Sequence, residues 1–109
     1  MLELPKLHVT IELLHPQAQL PSRAHNTDAC FDLRASEGVT IENGSTGMVP
    51  LGWSMQLQEG WEALIRGRSG LACKGVVAHL GTIDHLYRKE VKVILHNLSG
   101  GEFVIEPGD

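Results

Sequence analysis

Gly81-Thr-Ile-Asp-His-Leu-Tyr-Arg-Lys-Glu-Val-Lys-Val-Ile-Leu95 is the stretch that decides the reading of this 109-residue chain. Its second half alternates, with Val91, Val93 and Leu95 on one side and Glu90 and Lys92 on the other, the period-two pattern of a half-buried strand. The spacing predicts a hairpin whose turn carries Asp84 and Tyr87. A carboxylate held at a hairpin edge beside a ring is suited to orienting a water against a small substrate. The same residues also have plain readings. An Asp in a turn often bonds its own backbone, and a lone Tyr is more often a half-buried strand-edge aromatic.

Working outward, alternation recurs. Val9, Ile11 and Leu13 read as inward-facing, Val39-Thr-Ile-Glu42 as a short strand ended by the turn pair Asn43-Gly44, and Val76-Val77 and Phe103-Val-Ile105 as further strands. Trp53, Met55 and Leu57 alternate with polar residues up to Glu59-Gly60, which predicts a hairpin into Trp61–Arg66. The polar, Pro-containing segment from Pro16 to Asn26 reads as loop. Helical periodicity, internal repeats and low-complexity segments are not found. Short strands at near-regular spacing predict an all-β sandwich or barrel.

A chain of 109 residues holds one small domain and no linker. At that size a single copy buries a modest share of its surface, so association would help it. The net charge of -4, with basic residues unclustered, argues against general nucleic-acid binding. A small polyanion remains admissible where backbone N–H groups, Arg68 and a divalent cation offset its charge. Cys30 and Cys73 have no metal-site or disulfide-framework spacing, so a reducing compartment is expected. Met1 to Leu7 has no basic region followed by an apolar run, and no segment approaches transmembrane length. The expectation is a soluble cytoplasmic protein, or a nuclear or organellar one in a eukaryote, with no membrane partner.

Two earlier segments join the opening stretch. Asp28-Ala-Cys-Phe-Asp-Leu-Arg-Ala35, Gly67-Arg-Ser-Gly-Leu-Ala72 and the Gly81 stretch, in this order, resemble the first three motifs of the dUTP pyrophosphatase (dUTPase) family, DAGxDLxA, RSGLA and GTIDxxYRGEVKV. Pro107-Gly-Asp109 resembles the start of the fourth. The third motif is specific alone, and four in register are strong. The resemblance implies a distorted jelly roll, usually a homotrimer with active sites at subunit boundaries, that hydrolyses dUTP to dUMP and pyrophosphate with Mg²⁺. That activity limits uracil incorporation into DNA and supplies dUMP for dTMP synthesis.

By the family pattern Asp84 orients the attacking water or takes its proton. Tyr87 lies against the deoxyribose, where a 2′-hydroxyl would collide with it. Ser69 and Gly70 hold the triphosphate, with Arg68 fixing the loop and its charge. Main-chain groups around Ala78, Gly81, Thr82, Ile83 and Lys92 read uracil, because cytosine offers a donor where uracil offers an acceptor. Asp32 contacts Mg²⁺ through water, its plain alternative being a surface charge paired with Arg34.

Four positions depart from the pattern: Gly67 stands where Pro is frequent, Cys30 and Lys89 stand where the family has Gly, and Leu71 to Leu80 is about one residue short. His79 lies in that short link, where a solvent-facing turn histidine is the commoner outcome and ligand contact the alternative. Asp109 falls midway through the fourth motif, and the Gly-rich fifth motif does not follow, so the expected domain is 1–109 without those parts. Two rivals stand beside the hydrolase. A dCTP deaminase needs a Glu ten residues after the hairpin Asp, where this chain has Ile94. A nucleotide-binding or protein-interaction module would keep the fold with impaired turnover.

Overall fold

The computed structural model describes residues 7–109; the stretch read as lacking a secretion signal lies, apart from Leu7, outside them. Nine short strands and one five-residue helix make up the described residues: β1 (Thr10–Leu13), β2 (Val39–Ile41), β3 (Thr46–Pro50), β4 (Trp53–Gln56), β5 (Ala63–Ile65), α1 (Ser69–Cys73), β6 (Val76–Ala78), β7 (Gly81–Ile83), β8 (Lys92–Asn97) and β9 (Phe103–Ile105). The all-β expectation holds, and no described helix is long and apolar enough to cross a membrane. All pairing is antiparallel and falls into four small sheets, β1-β4, β2-β9, β3-β8-β6 and β5-β7.

Partner choice overturns both predicted hairpins. β4 and β5 follow one another across a real turn, with Gly60 at φ 89 and Trp61 N–H donating to Gln58 O at 3.1 Å, yet β4 pairs with β1 and β5 with β7. Likewise β7 and β8 flank the Asp84–Glu90 segment but lie in different sheets. Burial is the reason. Pairing β7 with β5 sets Ile83 and Ile65 into one core cluster with Leu51, Trp53, Met55, Leu57 and Val91, and a continuous β7-β8 hairpin would split that cluster. The β1 expectation also needs correction. Ile11 packs on the core, while Val9 and Leu13 are exposed, because β1 is an edge strand with one partner. Of the alternating apolar residues only Val91, just before β8, is fully buried; Val93 and Leu95 are half-buried.

A second cluster, Ala35, Ile41, Val49 and Ile105, sits beside the first, with Val93 packed against both. Asn97 ties the end of β8 to its surroundings. Fully buried, it donates to Ile41 O at 2.9 Å and Gly101 O at 2.8 Å and accepts from the Ser99 N–H and hydroxyl. The radius of gyration is 15.0 Å, against about 13 Å for a compact domain of this length. The molecule is elongated, 50 × 31 × 23 Å, and carries an open apolar groove. Leu51, Trp53, Ile83, Val93 and Ile105 line it, and Asp32, Arg68, Ser69 and Gly70 stand along its wall. Trp53 Nε1 is buried and has no hydrogen-bond partner among the described residues.

Candidate active site

The turn after β7 presents Asp84 and Tyr87 together. Tyr87 N–H donates to Asp84 O at 3.0 Å and closes the turn. Asp84 Oδ1 accepts the Leu86 N–H at 3.4 Å and lies 3.0 Å from His85 Nδ1. Oδ2 receives no hydrogen bond among the described residues, and the side chain is 71% exposed. This is the plain turn contact and the chemical possibility at once, because one oxygen braces the turn while the other is open to a water. Tyr87 is anchored differently. Its hydroxyl donates to Glu90 O at 2.8 Å, and its ring remains 40% exposed. Arg88 folds back to donate to the His85 carbonyl, which stiffens the same turn.

Asp32, Arg68, Ser69 and Gly70 form a second group. The Asp32 backbone exchanges hydrogen bonds with Ser22 across an isolated bridge, and its Oδ1 lies 3.5 Å from Arg68 Nη2. Its partner is therefore Arg68 and not Arg34. Arg68 is extended and directly precedes α1, whose first bond runs from Ala72 N–H to Arg68 O at 3.0 Å. The expected Gly-flanked turn is thus a short helix start, and the N–H groups of Ser69, Gly70 and Leu71 precede its first internal bond. Gly67 packs against Ala78, whose Cβ would lie 3.4 Å from a Cβ at position 67. Cys30 and Cys73 are exposed and unpaired.

The two groups sit off opposite ends of β5. The β5-β7 register sets Ala63 opposite Ile83 and Ile65 opposite Gly81. Asp84 accordingly follows β7 at the Ala63 end of β5, whereas Arg68 lies three residues beyond its Ile65 end. The proposed base readers divide as well. Ala78 pairs with Leu95 on β6-β8, near Gly67, while Lys92 pairs with Pro50 and follows the Tyr87 turn. Gly81, Thr82 and Ile83 occupy β7, which among the described residues has a partner on one side only, leaving alternate N–H and C=O groups on its other edge unspent there. His79 is exposed, its ring edge-on to His96 at 6.1 Å. Among the described residues no cluster of three or more His, Cys, Asp or Glu could hold a metal alone.

Sequence reasoning missed Glu90 as anything but an outward strand residue. Its Oε2 accepts the Gly52 N–H at 3.1 Å, a contact across 38 positions that no local pattern signals.

Comparison with known proteins places the chain in a family. The dUTPase family model matches residues 16–109. A deoxyuridine 5′-triphosphate nucleotidohydrolase of Helicobacter pylori strain P12 is 42% identical over 106 residues, covering 94% of this chain and 73% of that protein. Its counterpart in Solibacter usitatus is 41% identical over 109 residues, covering 95% and 74%. Among solved structures, a mutant dUTPase from phage phi11 of S. aureus, described with a coordinated structural Mg(II) ion, superimposes with TM-score 0.87 at 24% identity, covering 94% of this chain and 84% of that one. With one family spanning nearly all the described strands and relatives above 40% identity along most of its length, the chain belongs to the dUTPase family.

Proposed function

We propose that this chain hydrolyses dUTP to dUMP and pyrophosphate. The observation that carries the reading is the turn after β7, where an open carboxylate oxygen of Asp84 and a pinned, half-open ring of Tyr87 adjoin an unspent strand edge. The free edge at Thr82 and Ile83 is suited to reading uracil, since a wrong donor there leaves a group unpaired at about 1–3 kcal/mol. Lys92 supplies a further main-chain contact from the start of β8, and Ala78 and Gly81 those from β6 and β7. Tyr87 presents its face to the sugar and excludes a 2′-hydroxyl by overlap, which discriminates better than an apolar pocket alone.

Asp84 Oδ2 takes the proton of a water as its oxygen attacks the α-phosphorus, and the bond to the bridging oxygen breaks to release pyrophosphate. Such general-base help is typically worth about two to four powers of ten. Ser69 and Gly70 hold the phosphate oxygens through their hydroxyl and N–H groups. Arg68, held by Asp32, adds positive charge. The residues present fit Mg²⁺: one partly exposed carboxylate, Asp32, beside Arg68 of the proposed phosphate-holding group, and no protein cage among the described residues. That is the pattern of a cation carried mainly by substrate phosphates and water. When bound, the ion would offset the charge that builds on the leaving pyrophosphate.

Placement of the two groups off opposite ends of β5 supports a site assembled from more than one copy, in a homotrimer. Exposed Met48, Val77 and Leu64 provide apolar surface for such contacts. The test of the reading is pyrophosphate release from dUTP, UTP, dCTP and dTTP side by side. Preference for dUTP by orders of magnitude is expected. Comparable turnover of dCTP would remove the assignment.

A further inference from the structure

Glu90 stands between Tyr87 and the tight link that joins β3 to β4. Its carbonyl accepts the Tyr87 hydroxyl at 2.8 Å, and its carboxylate accepts the Gly52 N–H at 3.1 Å. The next residue is held on both sides, Val91 N–H donating to Trp53 O at 2.9 Å and Val91 O accepting from Leu51 N–H at 3.1 Å. Gly52 is a rigid post. Its φ is +76°, its carbonyl accepts the Leu14 N–H at 2.7 Å, and a Cβ there would stand 2.8 Å from Ser36 Cβ and 2.9 Å from Ala18 Cβ. Only glycine fits that post.

The turn it braces has little else to hold it. Leu86 is 73% exposed, and the Asp84–Arg88 hydrogen bonds are local and solvent-facing. The Glu90 to Gly52 contact is partly buried, where water competes less. We infer that the Glu90 carboxylate is the positioning residue for the Tyr87 ring, and through it a determinant of deoxyribose over ribose selection. This rests on the reading of Tyr87 given above. A steric gate works only as far as the ring resists displacement. Holding the hydroxyl end of the ring to a carbonyl that is itself fixed to β3-β4 supplies that resistance.

Side-chain length and charge separate the explanations. Glu90→Asp keeps the charge but draws the carboxylate back by one methylene, about 1.5 Å, out of reach of Gly52. Glu90→Gln loses the charge and keeps an oxygen at full length. The measured quantity is the ratio of kcat/KM for dUTP over UTP, with thermal melting as the check that each variant is folded. Glu90→Asp should lower the ratio about tenfold, on the order of one lost charge-assisted hydrogen bond, whereas Glu90→Gln should stay within about twofold. Tyr87→Phe, which removes the hydroxyl contact from the other end, should match Glu90→Asp, and the double variant should fall no further, because both changes cut one chain of contacts. A Glu90→Asp ratio equal to the parent's, or a Glu90→Gln ratio as low as that of Glu90→Asp, overturns the inference. Tyr87→Ala tells the two readings apart. If it retains selectivity, the role of Tyr87 and this inference both fall; if it loses selectivity while Glu90→Asp does not, this inference alone falls.

Discussion

Mixing two disabled variants provides a direct test of a site shared between copies. Asp84→Asn removes the proton acceptor from the β7 turn, and Arg68→Ala removes the cation that faces Asp32 at 3.5 Å. In one chain these positions lie beyond opposite ends of the β5-β7 ladder, Asp84 past its Ala63–Ile83 pair and Arg68 past Ile65. If each site takes Arg68 from one copy and Asp84 from another, both pure variants have no intact site. Unfolded together in equal amounts and refolded, the chains assemble at random. A site is then whole when its Arg68 comes from the Asp84→Asn chain and its Asp84 from the Arg68→Ala chain, two independent even chances that leave about one quarter of sites intact. The co-refolded mixture should therefore release pyrophosphate from dUTP at about one quarter of the parent rate, at fixed total protein, while each variant alone stays below about one hundredth. The same variants mixed without denaturant, and assayed at once, provide the baseline. A co-refolded rate equal to the mean of the two variants would refute the reasoning, and would place Asp84 and Arg68 in one chain's site despite the register.

Three further outcomes are expected. Asp84→Asn alone keeps the turn's shape but not the base, so kcat should fall by about two to four powers of ten with the affinity for a non-hydrolysable dUTP analogue nearly unchanged; retention of most of the rate would contradict the role given to Oδ2. Asn97→Ala removes four hydrogen bonds from a buried position, at about 1 kcal/mol net each. Urea unfolding followed by Trp53 fluorescence at fixed protein concentration should show a loss of about 3–4 kcal/mol, and a loss below about 1 kcal/mol would argue against its tying role. Gly52→Ala meets both a positive φ and backbone-proximal contacts at 2.8–2.9 Å, so destabilisation of about 2–4 kcal/mol is expected by thermal melting; an unchanged melting temperature would show that the β3-β4 link relaxes freely.

Existence and type of most strands were legible because period-two alternation reports which side chains share a face. Partners were not legible. Alternation is a property of one strand, and a turn such as Glu59-Gly60 reverses the chain without obliging the two flanking strands to bond. Met55 paired with Ile11 and Trp53 with Leu13 across the β1-β4 ladder because that closes a core cluster, a gain that local sequence does not display. The site followed the same division. Asp84 and Tyr87 could be proposed because their spacing is local, and Arg68, Ser69 and Asp32 because they match motifs. The Asp32 partner was misjudged between two arginines, since Arg34 is near in sequence while Arg68 is near only after the fold has formed. Glu90 was missed for the same reason, its partner being a backbone N–H on another sheet.

The short two-stranded β5-β7 sheet connects these observations. A three-residue strand with one partner is weak as an element and leaves backbone groups unspent, ordinarily a liability that proteins cover or blunt. Here the unspent edge of β7 carries Thr82 and Ile83, ends at Asp84, and is the surface proposed to read a base by main-chain hydrogen bonds alone. Completing that ladder within the chain would satisfy the edge and remove the reader. An open β7 therefore has to be stabilised from elsewhere. Ile83 and Ile65 bury their side chains in the core beneath it, and Glu90 secures the following turn to Gly52. Leu64, opposite Thr82 on β5, is exposed apolar surface, which the proposed second copy would cover. On this argument the proposed need for a second copy and the proposed base-reading edge have one cause, the pairing of β7 with β5 alone among the described residues.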